Sequence, residues 1–184
     1  MQRAWPCGWR IPINGASMEN PLIIANWKMK LGKSEALALA KKVAKSSAKF
    51  KSADVVLCPS FTELGAVAEI VSATGVALGA QDCFWEEQGA FTGEVSAAQL
   101  MEHGVTTVLV GHSERRGHLN ESGDMIHKKI RMLLSVGLRP VLCVGEQFDD
   151  RAEGQKEVVL LKQLHDALGG LWLTDAQQLV VAYE

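Results

Sequence analysis

Thr107-Val108-Leu109-Val110-Gly111-His112-Ser113-Glu114-Arg115-Arg116 runs from an apolar strand into an abruptly polar turn. A strand buried on both faces carries little polar alternation, as parallel strands between layers of helices do. Similar runs occupy residues 22–27, 55–58, 76–80, 140–144 and 179–183. Between them lie stretches with helical spacing. Residues 34–49 open on a serine cap and repeat Leu37, Ala40, Ala44 and Ala48. Residues 61–73 follow Pro59, and 96–103 open on Ser96-x-x-Gln99. Residues 124–136 stop before Gly137, and 152–168 before Gly169-Gly170. Thr174-x-x-Gln177 caps a short turn before the last strand. Strict alternation of strand and helix implies parallel strands with right-handed crossovers. A doubly wound sheet and part of an eight-unit barrel both fit. The first βα junction lacks G-x-G-x-x-G, which disfavours a dinucleotide-binding sheet.

Composition sets the outer limits. The 184 residues are 47% hydrophobic and 22% charged, as in a soluble globular domain. Nineteen basic and 21 acidic residues leave a net charge of −2. That balance predicts neither a nucleic-acid nor a membrane partner. The cysteines at 7, 58, 83 and 143 form no C-x-x-C pair, so no metal centre is expected. Cys58 and Cys143 sit inside apolar runs as small hydrophobes. A reducing cytoplasm is the expected setting. Residues 1–17 have neither clear periodicity nor the apolar stretch of a signal peptide. They read as a disordered or non-native extension, with the domain over 18–184.

Polar side chains gather where the strands end. Asn26 and Lys28 follow the first, Gln81 the third, and His112 and Ser113 the fourth. Gly145 and Glu146 follow the fifth, and Glu184 the sixth. In a parallel barrel the C-terminal strand ends carry the active site. Asn26, Lys28, His112 and Glu184 are therefore expected in one pocket. Lys28 offers a cation for an anionic substrate or a developing oxyanion; alone, it reads equally as a solvated strand-end lysine. His112 precedes Ser113, which can cap a short helix through Glu114-Arg115-Arg116. Positive helix-end dipoles disfavour charging an imidazole there. A neutral ring can still donate a hydrogen bond to a carbonyl; a loop-anchoring histidine is the other reading. Arg115 is expected to pair with Glu94. A carboxylate closing an apolar strand, as Glu184 does, suits a general base, or is simply an exposed terminal side chain. Residues 88–96 form a glycine-punctuated loop with Phe91 and Thr92 near its tip. Cys143-Val144-Gly145-Glu146 with Arg151 reads first as structural ion pairing.

Taken together, these segments resemble triosephosphate isomerase along residues 21–184. The resemblance rests on Ala25-Asn26-Trp27-Lys28-Met29, Ala80-Gln81-Asp82, Gly89-Ala90-Phe91-Thr92-Gly93-Glu94-Val95-Ser96, Gly111-His112-Ser113-Glu114-Arg115-Arg116 with Glu121, Cys143-Val144-Gly145-Glu146, and Ala182-Tyr183-Glu184. It implies a parallel (β/α)8 TIM barrel with about the first six strands present, incomplete and open. It also implies interconversion of dihydroxyacetone phosphate and glyceraldehyde 3-phosphate through an enediolate. In that reading Glu184 is the base, His112 the neutral electrophile, and Lys28 the cation for enediolate and phosphate. Asn26 orients the site, while Ser113, Glu114, Arg115, Glu94 and Cys143 support it. The resemblance implies no metal or organic cofactor. It implies a homodimer in which the loop of Phe91 and Thr92 enters a second subunit beside its Asn26 and Lys28.

Two departures leave the chemistry intact: Lys30 stands where the family often has Asn, and Leu119 where an aromatic is common. The sequence ends at the base, before the family's mobile lid and last two strands. A polypeptide of this length is therefore expected to be nearly inactive by itself. The alternative is a non-catalytic open α/β module that keeps these motifs as structure and assembles with a partner.

Overall fold

A computed structural model describes residues 20–47, 49 and 52–184. The extension expected over residues 1–17 lies outside them. The chain divides into two compact units. One holds the residues through Gln81, with Leu100–Thr106 and Asp175–Gln177; the other holds Asp82–Gln99, Thr107–Thr174 and Gln178–Glu184.

The first unit contains β1 (Leu22–Asn26), α1 (Lys33–Ser47), β2 (Asp54–Cys58), α2 (Phe61–Val71) and β3 (Val76–Ala80). Its strands pair in parallel, with Leu22 opposite Asp54 and Val55 opposite Val76. All five residues of β3 are buried, which is what its unbroken apolar run requires. On α2, Leu64, Val67 and Val71 recur at three- and four-residue spacing and face the core. Ala36 and Ala40 do the same for α1.

α3 (Ala97–Glu102) leads into β4 (Val105–Val110). In the second unit follow α4 (Ser113–His118), α5 (Gly123–Val136), β5 (Arg139–Val144), α6 (Phe148–Ala152), α7 (Lys156–Leu168) and β6 (Val180–Tyr183). The ladders are parallel again, Thr107 facing Arg139 and Val141 facing Val180. α5 starts at Ser122, whose hydroxyl accepts the Met125 N–H at 3.2 Å. Ile126, Lys129, Ile130 and Leu133 make its buried stripe, and Gly137 ends it as expected. The helix expected over 152–168 is instead two, α6 and α7. Gly154 lies between them with φ +71°, outside right-handed helical space. Apolar periodicity alone ran through that break. A 3₁₀ turn at Ala176–Gln178 precedes β6. Among the described residues no helix is long and apolar enough to cross a membrane.

Four charged side chains lie together in the second unit. Lys129 on α5 donates to Asp82 at 2.7 Å and also to Glu121. Arg115 on α4 reaches Asp82 at 2.8 Å and Glu121 at 3.3 Å, the latter outside hydrogen-bond geometry. The Arg115–Glu94 pair expected from sequence is thereby corrected: Asp82 and Glu121 hold the guanidinium, and Glu94 is exposed. Two cations meet two carboxylates, so the cluster is neutral as a whole. Burial still pushes the Asp82 carboxyl up, with Lys129 pulling the other way. Removing one member of such a set strands the opposite charge in low dielectric. Lys129→Met should therefore lower unfolding stability in urea by about 3–5 kcal/mol, whereas Lys128→Met, at an exposed α5 pair with Asp124, should change it by less than about 1 kcal/mol.

Candidate functional site

The fourth strand delivers the site through a glycine. Gly111 has φ +73°, and a Cβ there would lie 2.8 Å from Arg116 Nη2 and 3.0 Å from Ile126 Cδ1. The chain can therefore turn sharply after β4 and start α4 only without a side chain at 111. Arg116 fills that space, its Nε donating to Gly111 O at 2.7 Å and its Nη2 to Cys143 O at 3.1 Å. It ties the end of β4 to β5.

His112 is the N-cap of α4, not Ser113 as the sequence suggested. Its Nδ1 accepts the Glu114 N–H at 3.2 Å, as an Asn or Asp carboxamide or carboxylate oxygen would. An accepting Nδ1 carries no hydrogen, so the neutral ring holds its proton on Nε2. Nε2 stands 2.9 Å from Glu184 Oε1 and donates to it. Ser113 completes the arrangement, its N–H donating to Glu184 Oε2 at 2.8 Å and its hydroxyl to Oε1 at 3.3 Å. The Glu114 carboxylate lies 3.6 Å from Nδ1. Histidine, serine and glutamate from β4–α4 and β6 thus form one constellation. The Glu184 side chain is 27% exposed and that of His112 12%, so a ligand has access.

Glu184 extends the β5–β6 ladder by one residue, its N–H donating to Val144 O at 2.9 Å. With Val144 opposite Tyr183, the next facing residue is Gly145. A Cβ on Gly145 would come within 2.5 Å of the Glu184 carbonyl oxygen, so glycine is required there as well. Gln163 on α7, which sequence reasoning missed, grips Gly145 on both sides. Gly145 N–H donates to Gln163 Oε1 at 3.0 Å, and Gln163 Nε2 donates to Gly145 O at 2.8 Å. Next to it, Tyr183 donates to Glu146 Oε1 at 2.9 Å, and Arg151 stands 3.3 Å from the same oxygen. The structural ion pair expected at Glu146 and Arg151 is present. The backbone N–H of Glu146, then the Tyr183 hydroxyl and Arg151, hold its carboxyl below the usual range.

In the first unit, Asn26 ends β1 and its Oδ1 accepts the Lys28 N–H at 2.9 Å. Lys28 has φ +54°, a left-handed conformation that costs an L residue about 1–2 kcal/mol. Gln81 holds it there, Nε2 donating to Lys28 O at 3.0 Å and to Cys58 O at 2.9 Å. The 88–96 loop belongs to the second unit. Phe91 is 43% exposed there and its ring leans on Phe84, centroids 4.6 Å apart; Thr92 is exposed. Among the described residues no group of three or more His, Cys, Asp or Glu could hold a metal ion.

The family model for triosephosphate isomerase matches residues 21–184. A triosephosphate isomerase from Thermoanaerobacter sp. (strain X514) is 44% identical over 167 residues, which are 91% of this chain and 67% of that protein. One from Dictyoglomus thermophilum is 39% identical over the same share of both. In three dimensions the chain is similar to triosephosphate isomerase from Bartonella henselae, with a TM-score of 0.81 and 32% identity. That match covers 89% of this chain and 67% of the other. The chain thus spans about two thirds of the length of these relatives. The six parallel strands are those of an α/β barrel of this kind.

Cys143, expected as a supporting residue, is a buried thiol on β5. Burial, then the Glu184 charge, pushes its pKa from 9.0 up to about 12, with Arg116 opposing. A thiol whose pKa is raised by folding favours the native state while both states are protonated. That contribution is complete below about pH 9 and is lost as pH rises toward about 12. Urea unfolding should therefore weaken over that window with a slope of up to roughly 1.4 kcal/mol per pH unit from this group, and Cys143→Ala should flatten the alkaline limb. An unchanged slope in the variant would remove Cys143 as its source.

Proposed function

The chain belongs to the triosephosphate isomerase family, and from that premise we propose that it interconverts dihydroxyacetone phosphate and glyceraldehyde 3-phosphate. A proton moves between adjacent carbons through an enediolate. The observation that carries this reading is the Glu184–His112 hydrogen bond, with the ring proton held on Nε2. At rest that proton is given to the carboxylate. A substrate carbonyl oxygen needs the same donor, so its arrival releases Oε1 of Glu184 from the ring and leaves only the 3.3 Å Ser113 hydroxyl on it. The Ser113 N–H still holds the other oxygen and keeps the carboxylate aimed. Glu184 then takes the proton from carbon, while neutral His112 stabilises the developing negative charge on oxygen. Lys28 provides the cation for the enediolate and phosphate, and Asn26 orients it. Three buried thiols at Cys58, Cys83 and Cys143 support a cytoplasmic setting.

A polypeptide of these 184 residues, assayed alone, should nevertheless turn over slowly. Half-exposed Ile23 on β1, and Val181 and Tyr183 on β6, present apolar strand surface that invites association. Water reaching the partly exposed Glu184 side chain would compete for the intermediate. In a coupled isomerase assay the expected turnover is at least about tenfold below the enzyme median of ~10 s⁻¹, and Glu184→Gln should abolish what remains. Turnover at the median, lost in that variant, would overturn the slow polypeptide. Turnover that survives it would overturn the base. Dihydroxyacetone phosphate should shift the NMR signals of both Lys28 and His112; a shift at His112 alone would remove Lys28 from the proposed reaction.

The same reading makes the active species a homodimer, with Phe91 and Thr92 of one subunit entering the other beside its Asn26 and Lys28. Light scattering at micromolar concentration should give twice the chain mass, falling to one chain in Phe91→Asp. A monomer in both would end the proposal.

A further inference from the structure

Two hydrogen bonds from one helix side chain hold the residue on which the candidate base rests. Gly145 lies beyond the last regular pair of the β5–β6 ladder, opposite Glu184. At such an end the backbone N–H and C=O have no strand partner of their own and need another. Gln163 supplies both from a single planar carboxamide, accepting at 3.0 Å and donating at 2.8 Å. Two bonds to one plane fix orientation as well as position. α7 is itself anchored, because His127 on α5 makes a 3.2 Å hydrogen bond to Ala167 O, and Ala167 is fully buried.

The clamped glycine is also the surface that sets the height of Glu184. There is no room between them even for a methyl group. Glu184 is held to β5 by its N–H on Val144 O, and its carboxylate is held by Ser113 and His112. A shift of Gly145 therefore moves the backbone of Glu184 against fixed side-chain partners. We propose that Gln163 is a positioning residue for Glu184, acting through Gly145 to keep the carboxylate in register with His112 Nε2 and the Ser113 N–H. The polar surroundings do not supply a substitute. Glu146 is engaged by Tyr183 and Arg151, and Arg116 by Gly111 and Cys143.

The consequence for turnover rests on reading Glu184 as the base, since a misplacement of about 1 Å costs roughly 100-fold. The positional claim stands on hydrogen bonds and is testable without activity. The test follows exchange of the Ser113 amide proton and the His112 Nε2 proton by NMR in the 184-residue chain. Glu184→Ala calibrates how much protection the carboxylate gives. Gln163→Leu keeps the bulk and removes both bonds; it should raise exchange of the two protons about tenfold or more, toward the Glu184→Ala level. The Val108 amide, inside β4, should not change. Gln163→Glu keeps an acceptor for the Gly145 N–H and should recover part of the protection. Should Gln163→Leu fail to fold, Gln163→Glu by itself must show an intermediate loss, and wild-type protection in it overturns the proposal. So does a rise at Gly145 without one at Ser113 and His112, or an equal rise at Val108. Absence of isomerase activity in wild-type chain would count against the proposed reaction and leave this exchange pattern unaffected.

Discussion

One backbone N–H decides the chemistry available at this site. Glu114 donates it to His112 Nδ1, which leaves Nε2 to carry the ring proton. The Glu184 carboxylate on the other side accepts that proton. Both neighbours demand the same tautomer. With the proton on Nδ1, two donors would face each other there, and a lone pair would face a carboxylate oxygen 2.9 Å away. Agreement from both sides makes the imidazole a donor without a positive charge. A donor of that kind polarises a carbonyl without handing it a full proton.

Holding that ring steady requires α4 to stay where it is, and a helix of six residues has little cooperativity of its own. Its position is set from outside. Arg116 binds the ends of β4 and β5, and Arg115, one residue earlier, enters the charge cluster of Asp82, Glu121 and Lys129. Isolated buried charges cost several kcal/mol each after relaxation. Here each carboxylate meets two cations, so the cluster offsets much of that cost within itself. Its contribution is best understood as register, since contacts that join Asp82, α4, Glu121 and α5 admit few other arrangements.

The strands were readable because burial on both faces erases polar alternation. β3 matched at both ends, and the others fell within one or two residues. Asn26, Lys28, His112 and Glu184 were legible as polar residues breaking apolar runs. Other features had no local signature. Apolar spacing continues across 152–168, and only the backbone at Gly154 reveals two helices. Serine is the commoner cap, yet the ring one residue earlier reaches the free N–H first. Asp82 and Arg115 are 33 positions apart, a distance over which spacing carries no information. Gln163 is a half-buried residue between Lys162 and Leu164 on α7, where a glutamine is unremarkable until Gly145 is seen beside it.

Gln163 has a counterpart in the first unit, and the pair suggests why carboxamides recur at these strand ends. Where a parallel strand stops, its backbone groups leave the ladder one at a time. A charged side chain in a carboxamide's place would add net charge beside these strand ends. A carboxamide donates and accepts without charge. Gln81 uses its N–H groups on the carbonyls of Cys58 and Lys28, at the end of β2 and just past β1. Gln163 uses one donor and one acceptor on Gly145, just past β5. In the first case the held residue is a lysine in a left-handed conformation, which the backbone would otherwise relax. In the second it is a glycine whose missing side chain makes room for Glu184. Each glutamine therefore acts on backbone groups: Gln81 fixes Lys28 itself, and Gln163 fixes the glycine packed against Glu184.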